Sequence, residues 1–149
     1  MSARAAARLE TLGFRRVHRY QPGRADWFAA GLPREGREAH TPRVADIAWR
    51  DVPTCSIGDS VEDVRERIRG AGGNVCVVLD PNRVVLGLVL AESLDVQADI
   101  PVEDVMQSSP LTFRPNLEVG KLPEYVRTQR IARPLVTTSD GILIGLLRL

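Results

Sequence analysis

The stretch TCSIGDSVEDVRERIRGAGGNVCVVLDPNRVVLGLVLA, Thr54–Ala91, returns 58 positions later and without a gap as TFRPNLEVGKLPEYVRTQRIARPLVTTSDGILIGLLRL, Thr112–Leu149. Few side chains are identical, but the apolar positions coincide throughout. The matched pairs are Thr54 and Thr112, Val61 and Val119, Val64 and Leu122, Ile68 and Val126, Val78 and Val136, Gly87 and Gly145, and Leu88 and Leu146. Such self-similarity is typical of one supersecondary unit used twice to build a shared core. The repeat therefore predicts a duplicated unit rather than a conventional active site.

Each copy of the repeat predicts a helix followed by a hairpin. In the first copy, Ser60 is a candidate N-cap for a helix whose apolar stripe is Val61, Val64 and Ile68. Two apolar strands follow, at Val75–Leu79 and Val84–Leu90, joined by the turn Asp80-Pro81-Asn82-Arg83. Because these strands are apolar at nearly every position, both of their faces are expected to be covered. The predicted fold class is mixed α/β.

The second copy repeats this order with one irregularity. Its stripe is Val119, Leu122 and Val126, and its turn is Ser139-Asp140-Gly141. Pro123 falls inside the stripe and lacks the backbone N–H that a helix interior needs. The helix of the second copy is therefore expected to start late or to bend.

The first 43 residues predict a small separate unit. Alanine, leucine and arginine dominate residues 3–12, which are expected to form a helix closed by Gly13. A short strand is predicted at Arg16–Tyr20 and a second short helix at Arg24–Ala30. Residues 33–43 are rich in Gly, Pro, Glu and Arg without apolar periodicity, which is typical of a linker.

Composition and charge limit the classes of function. Cys55 and Cys76 have neither the spacing of a disulfide framework nor that of a CxxC pair, which favours a reducing, cytoplasmic setting. The longest apolar run is far shorter than the roughly 20 residues that span a bilayer, so no membrane segment is expected. Residues 1–43 carry nine arginines against four acids, but no aromatic platform alternates with them. This pattern argues against a nucleic-acid partner.

Three short motifs in the repeat region resemble those of a tandem pair of CBS (cystathionine-beta-synthase) domains. They are Asp104-Val105-Met106, Pro110-x-Thr112 and Asp140-Gly141-x-x-x-Gly145. The resemblance divides residues 44–149 into a first repeat, 44–98, and a second repeat, 99–149, whose final helix is missing. It implies β-α-β-β-α units with pseudo-twofold symmetry and a homodimer. In many members it also implies an adenosine-type ligand between the repeats.

The chain departs from the ligand-binding members of that family. Their repeats carry Thr or Ser three residues after the glycine of the last strand, and Asp six residues after it, to bind the ribose. Here Leu90 and Ser93 follow Gly87, and Arg148 follows Gly145. A neutral acceptor makes a weaker hydrogen bond than a carboxylate does. The candidate cleft residues that remain are Thr112, Arg133, Pro134, Arg148 and Ser93.

Residues 2–36 resemble the last third of a rhodanese domain. The resemblance rests on Leu12-Gly13-Phe14, on Trp27 and on Gly31-Leu32-Pro33. In that family the sulfur-carrying cysteine lies in a loop just before the matched helix, and here that loop would precede Met1. Residues 1–36 are therefore expected to form a small α-β-α remnant, joined to the repeats by the linker 37–43.

The apolar residues of this remnant are too few to form a core alone, so the repeats or a second chain are expected to cover them. The exposed apolar faces of the repeat helices, Val61, Val64, Ile68, Val119, Leu122 and Val126, are expected to pair in a homodimer.

No catalytic residue, metal site or resident cofactor is expected from the residues present, because neither cysteine lies in an anion-binding loop. Three functions remain open. The favoured one is a non-catalytic regulatory or protein-interaction module. The second is a sensor of an adenine nucleotide or of S-adenosylmethionine, and the third is part of a sulfurtransferase.

Overall fold

The structure is a computed structural model, and it describes residues 3–37, 39–122, 126 and 133–148. The helices are α1 Ala3–Thr11, α2 Gly23–Ala29, α3 Val44–Ile47 and α4 Val61–Gly70. The strands are β1 Ala48–Trp49, β2 Thr54–Ser56, β3 Val75–Leu79, β4 Val85–Leu90, β5 Gln107–Ser108, β6 Thr112–Phe113, β7 Leu135–Thr137 and β8 Leu143–Leu147. Three short 3₁₀ turns lie at Ala91–Leu94, Val102–Asp104 and Val119–Lys121.

The strands form two sheets of four, and each repeat gives a strand to the sheet of the other. One sheet has the order β2-β3-β4-β5, and the other has the order β1-β8-β7-β6. Strand β2 runs parallel with β3 and β6 runs parallel with β7, while the other pairs are antiparallel. The mixed α/β fold and the duplicated unit predicted from the sequence are confirmed.

The exchanged segments are held by equivalent hydrogen bonds. The amide of Val44 donates to the carbonyl of Leu117 at 2.9 Å, and the amide of Val102 donates to that of Asp59 at 2.9 Å. These two donors are 58 positions apart in the sequence, as are the two acceptors. The interlock between the repeats is therefore reciprocal.

The pseudo-twofold axis passes between the two hairpins. Val84 forms an isolated antiparallel bridge with Ile142, its own equivalent in the other repeat. On either side, the amide of Val85 donates to Gly141 and the amide of Leu143 donates to Arg83, both at 3.1 Å. Symmetry-related backbone groups thus satisfy one another where the two turns meet.

Three clusters of buried side chains fill the layers. The residues Val75, Val77, Leu79, Leu88, Leu135, Leu143 and Leu146 meet between the two sheets. The alternate positions of β3, Cys76 and Val78, face the other way and pack with the stripe of α4. A third cluster contains Val44, Leu122, Val136 and Leu147. Both faces of β3 are covered, as its apolar sequence predicts.

Helix α4 begins at the predicted cap. The hydroxyl of Ser60 accepts from the amide of Asp63 at 3.2 Å, and the Asp63 carboxylate accepts from the amide of Ser60 at 3.3 Å. This reciprocal arrangement is a capping box, which satisfies two amides that the helix itself leaves without partners.

The apolar stripes of the repeat helices point into this chain. Val61, Val64 and Ile68 are buried in the first cluster, while Leu122 and Val126 are buried in the second repeat. Val119 is half-buried against the third cluster. The expectation that these side chains leave faces for a second chain is wrong, because the sheets of the same chain already cover them. A homodimer remains a prediction that needs another surface.

The N-terminal region differs from its prediction at one element. Residues 16–20 form no strand, because no neighbouring strand pairs with their backbone in the described chain. Helices α1 and α2 lie within a residue of their predicted bounds. The predicted late start or bend at Pro123 lies outside the described residues. No helix in the described part of the chain is long and apolar enough to span a membrane.

The end of the predicted linker is bonded to the second repeat. Arg43 is only 4% exposed, and its guanidinium donates to Glu118 Oε1 at 3.0 Å and to the carbonyl of Asn116 at 3.2 Å. The amide of Val119 donates to the carbonyl of Pro42 at 3.0 Å. Residues 42 and 43 are therefore part of the folded repeat pair.

Two equivalent glycines permit the strand exchange, and they differ in what an added methyl group would meet. A Cβ at Gly145 would lie 2.5 Å from the carbonyl oxygen of Trp49, which is backbone in a paired strand. At Gly87 the nearest atom would be the Met106 sulfur at 2.6 Å, at the flexible end of a side chain. We expect Gly145→Ala to lower the free energy of unfolding by about 2–3 kcal/mol and Gly87→Ala by about 1 kcal/mol. The midpoints of urea unfolding measure both losses of stability. Equal losses would contradict the conclusion that Gly145 lies against the backbone of β1 and Gly87 against a flexible side chain.

The ion pair of Arg43 predicts an acid-sensitive contact. Lys121 first, and then Arg43, hold the pKa of Glu118 below its ordinary value of 4.5. Because the pKa is lowered in the folded state, the contribution is present above the ordinary value and is lost as the pH falls through the lowered one. We expect the free energy of unfolding to fall less steeply with acidification in Glu118→Gln than in the wild type. Exposed Glu66→Gln is the matched control, and a change of slope as large in this control would contradict the assignment.

Candidate functional site

Two arginines lie side by side at one end of the two central strands of the second sheet. Arg133 lies two residues before β7, and Arg148 directly follows β8. These strands are antiparallel with Leu135 opposite Leu146, and the amide of Leu147 donates to the carbonyl of Pro134 at 2.8 Å. The register therefore places the two arginines opposite one another, as members of one site.

The first repeat has an apolar pair at the equivalent positions. Val75 and Leu90, 58 residues before the arginines, are also opposite one another. Val75 is 1% exposed and Leu90 is half-buried, both in the cluster between the sheets. The second repeat thus replaces a packed apolar pair with two positive charges, which marks this edge as the place where the pseudo-symmetry is broken.

The contacts of the arginines are with uncharged groups. The Arg133 guanidinium donates to Asn74 Oδ1. The guanidinium carbon of Arg148 lies 3.4 Å from the centroid of the Trp49 ring, in a cation–π contact. Neither arginine forms an ion pair with a carboxylate in the described part of the chain. Two adjacent cations of this kind produce a positive potential that favours an anion.

The wall of the cleft comes from the first repeat and from the exchanged strand. Trp49 belongs to β1 and packs on the cluster between the sheets. A Cβ at Gly73 would lie 3.9 Å from the Trp49 ring, so this glycine is at contact distance from the indole. Asn74 is the next residue and directly precedes β3. Trp49, Asn74, Arg133 and Arg148 therefore form one cluster between the repeats, here called the cleft.

The other predicted site residues differ in their placement. Thr112 is exposed on β6, where it pairs with Leu135 and so lies near Arg133 along the edge of the sheet. Pro134 is buried and contributes its carbonyl to the sheet. Ser93 lies in the turn Ala91–Leu94 that follows β4, and none of its contacts in the described structure reaches either arginine. The structure places Arg133, Pro134, Arg148 and Thr112 together at one end of the second sheet. Ser93 lies in the turn after β4, which belongs to the first sheet.

The sequence analysis missed Trp49 and Asn74. Trp49 reaches the cleft only because β1 crosses to the second repeat, and a strand of two residues gives little periodic signal. The gapless repeat did contain one clue. It aligns Arg133 with Val75 and Arg148 with Leu90. A charged pair at the positions of an apolar pair indicates a change of role.

The two cysteines form a separate buried pair. Cys55 and Cys76 are on neighbouring strands β2 and β3 and belong to the same cluster beneath α4. The hydrogen bond to Cys55, together with burial, raises the pKa of the Cys76 thiol far above its usual range. A thiol that is protonated and inaccessible is a poor nucleophile.

Both the sequence and the fold of this chain are similar to those of known proteins. The sequence profile of the CBS domain matches residues 44–94, which lie within the first repeat. No curated protein matches the chain. Among solved structures, an acetoin utilization protein (AcuB) from Vibrio cholerae is similar with a TM-score of 0.65 and 18% identity, over 72% of this chain and 84% of that chain. The fold is that of a tandem CBS pair.

Two further CBS pairs are similar and have been solved with ligands. CBSX2 from Arabidopsis thaliana, whose structure is also known with AMP, has a TM-score of 0.62 and 22% identity. The match with its AMP complex covers 70% of this chain and 88% of that chain. The CBS domain pair of protein MJ0100, solved with 5'-methylthioadenosine and S-adenosyl-L-methionine, has a TM-score of 0.62 and 13% identity, over 72% and 89%. These likenesses establish the fold, while the rhodanese resemblance of residues 2–36 remains a prediction.

The buried thiols predict resistance to thiol reagents. We expect Cys55 and Cys76 to react with a disulfide reagent at least about 100-fold more slowly in the native protein than in urea, because both thiols are buried and meet the reagent only on opening. Thiosulfate:cyanide sulfurtransferase activity is expected to be absent. Cys55→Ser and Cys76→Ser are the matched variants. Cyanide turnover that either substitution abolishes would contradict this assignment.

Proposed function

We propose that this chain is a non-catalytic regulatory or protein-interaction module built on its CBS pair. The observation that carries the proposal is the cleft between the repeats. Its two arginines contact Trp49 and Asn74 of the same chain, and the position that binds ribose in ligand-binding repeats holds Ser93 in the first repeat. The fold itself supports a regulatory role, since CBS pairs are in general regulatory rather than catalytic modules.

An adenine-nucleotide sensor is the second candidate, and one observation favours it. Arg133 and Arg148 present two positive charges without a carboxylate partner in the described chain, which suits a phosphate group. Similar CBS pairs have been solved with AMP and with S-adenosyl-L-methionine. For a nucleotide to bind here, Arg148 has to leave the face of Trp49 or share it with the base. That cost and the missing ribose carboxylate both predict weak binding.

A sulfurtransferase whose cysteine loop precedes this chain is the third candidate. It rests on the resemblance of residues 2–36 alone, and the buried pair Cys55 and Cys76 gives it no support. A homodimer, a protein partner and a cytoplasmic location remain predictions. The exposed apolar side chains that a dimer has available among the described residues include Leu12, Phe14 and Ile47.

Ligand titration separates the first two candidates. We expect no shift of the melting temperature with millimolar AMP, ATP or S-adenosylmethionine, because charge-assisted ribose contacts are missing. The variants are Arg133→Ala and Arg148→Ala, and Arg69→Ala on the exposed face of α4 is the control with the same loss of charge. A shift of several degrees that disappears in both cleft variants and persists in Arg69→Ala would establish the sensor instead.

A further inference from the structure

A cavity lies away from the cleft, in the N-terminal segment and against Arg43. Its volume is about 230 Å³, and its walls include Arg24, Trp27, Phe28, Arg34 and Arg43. We propose that this cavity binds a small aromatic monocarboxylate. The site is independent of the function proposed for the cleft, because the two share no lining residue.

The N-terminal wall of the cavity is locally well defined. The Trp27 indole N–H donates to the carbonyl of Pro33 at 2.9 Å, which ties α2 to the segment that follows it. Tyr20 packs edge-on against the Trp27 ring with centroids 5.1 Å apart. These contacts hold the Trp27 ring at the cavity, where Phe28 is the second aromatic lining residue.

The opposite wall consists of guanidinium groups fixed by the repeat pair. Arg43 is buried and bonded to Glu118, and Arg34 Nη2 donates to both carboxylate oxygens of Asp46 at 3.2 and 3.1 Å. Their guanidinium carbons lie 5.4 and 5.1 Å from the centroid of the Phe28 ring. The cavity therefore combines flat apolar surface with cations whose positions are set in advance, which lowers the ordering cost of binding.

A hydrogen-bond donor of Arg34 in this wall lacks an acceptor among the described residues. Arg34 Nη1 is inaccessible to solvent and donates to no acceptor in the described part of the chain, although Nη2 of the same group is paired. A buried donor without an acceptor is costly, and charged donors are the most costly of all. A carboxylate oxygen in the cavity supplies the acceptor that the protein does not.

Size and charge specify the kind of ligand. A cavity of about 230 Å³ is below the range of about 300–1,000 Å³ usual for drug-sized ligands, so it suits a single ring with one substituent. Arg24, Arg34 and Arg43 face it with one acid, Glu35, while Asp46 and Glu118 pair with two of the arginines from behind. Lys121 also pairs with Glu118, so four cations stand against three carboxylates. This single excess positive charge suits one negative charge rather than a polyphosphate.

The test uses benzoate as the probe and the two tryptophan indole N–H signals as reporters. The chain has two tryptophans, Trp27 at the cavity and Trp49 at the cleft. In the intact protein, we expect benzoate to shift the Trp27 indole resonance with saturation in the millimolar range and to leave the Trp49 resonance in place. Benzamide, which has the same shape without the charge, is expected to bind at least about tenfold more weakly, because charge-assisted hydrogen bonds are stronger.

Arg34→Lys is the decisive variant, because it keeps the charge beside Asp46 and removes the second donor of the fork. We expect it to weaken benzoate binding at least about tenfold with an unchanged urea midpoint. Phe28→Leu is a second variant that leaves Arg34 in place, and exposed Arg16→Lys is the control.

Three results would overturn the proposal: no saturable shift of Trp27, equal binding of benzamide and benzoate, or unchanged binding in both Arg34→Lys and Phe28→Leu. The first of these would mean that water alone fills the cavity. A benzoate shift confined to Trp49 would instead concern the cleft and the function proposed for it.

Discussion

The reciprocal exchange of strands between the repeats is the constraint on which the rest of the structure depends. Without β1, strand β8 would present an unpaired edge, and without β5 the same would hold for β4. Unpaired backbone groups at a sheet edge must be solvated or covered, and pairing across the repeats satisfies them within one chain. At Gly145 the exchange brings the backbone of Trp49 close to the strand, whereas at Gly87 the nearest atom is the side-chain sulfur of Met106. The two equivalent glycines both leave room for an exchanged segment, although they leave it for different atoms.

Structural elements whose determinants lie close together in the sequence could be predicted, and those that depend on distant residues could not. Helix α4 and strand β3 follow from a cap, a stripe and an apolar run that lie within a few residues of each other, and all three were predicted. The strand expected at 16–20 failed because a strand exists only when a partner pairs with it, and pairing is a long-range property. The exchange of β1 and β5 has the same non-local origin. Trp49 could not be placed in the cleft from its neighbours in the sequence.

The candidate site follows from a departure from symmetry on a symmetric scaffold. Duplication by itself predicts similar side chains at equivalent positions of the two sheets. In the interior this holds for Val78 and Val136, which are equivalent and both buried. At this strand end, however, the repeat aligns Val75 with Arg133 and Leu90 with Arg148. Packing explains an apolar pair beside the central cluster, but it does not explain two adjacent cations that repel each other. An anion, or the aromatic and amide groups of Trp49 and Asn74, is what makes such a pair tolerable.

The segment from Arg43 to Trp49 connects both candidate sites to the same framework. Arg43 forms a wall of the cavity and Trp49 a wall of the cleft, while α3 and β1 between them are bonded to the second repeat through Val44 and Ala48. The backbone of neither residue can move far without breaking hydrogen bonds that hold the two repeats together. The fold therefore sets where each side chain is attached. Arg43, which the sequence predicted as the end of a linker, is therefore part of the folded repeat pair.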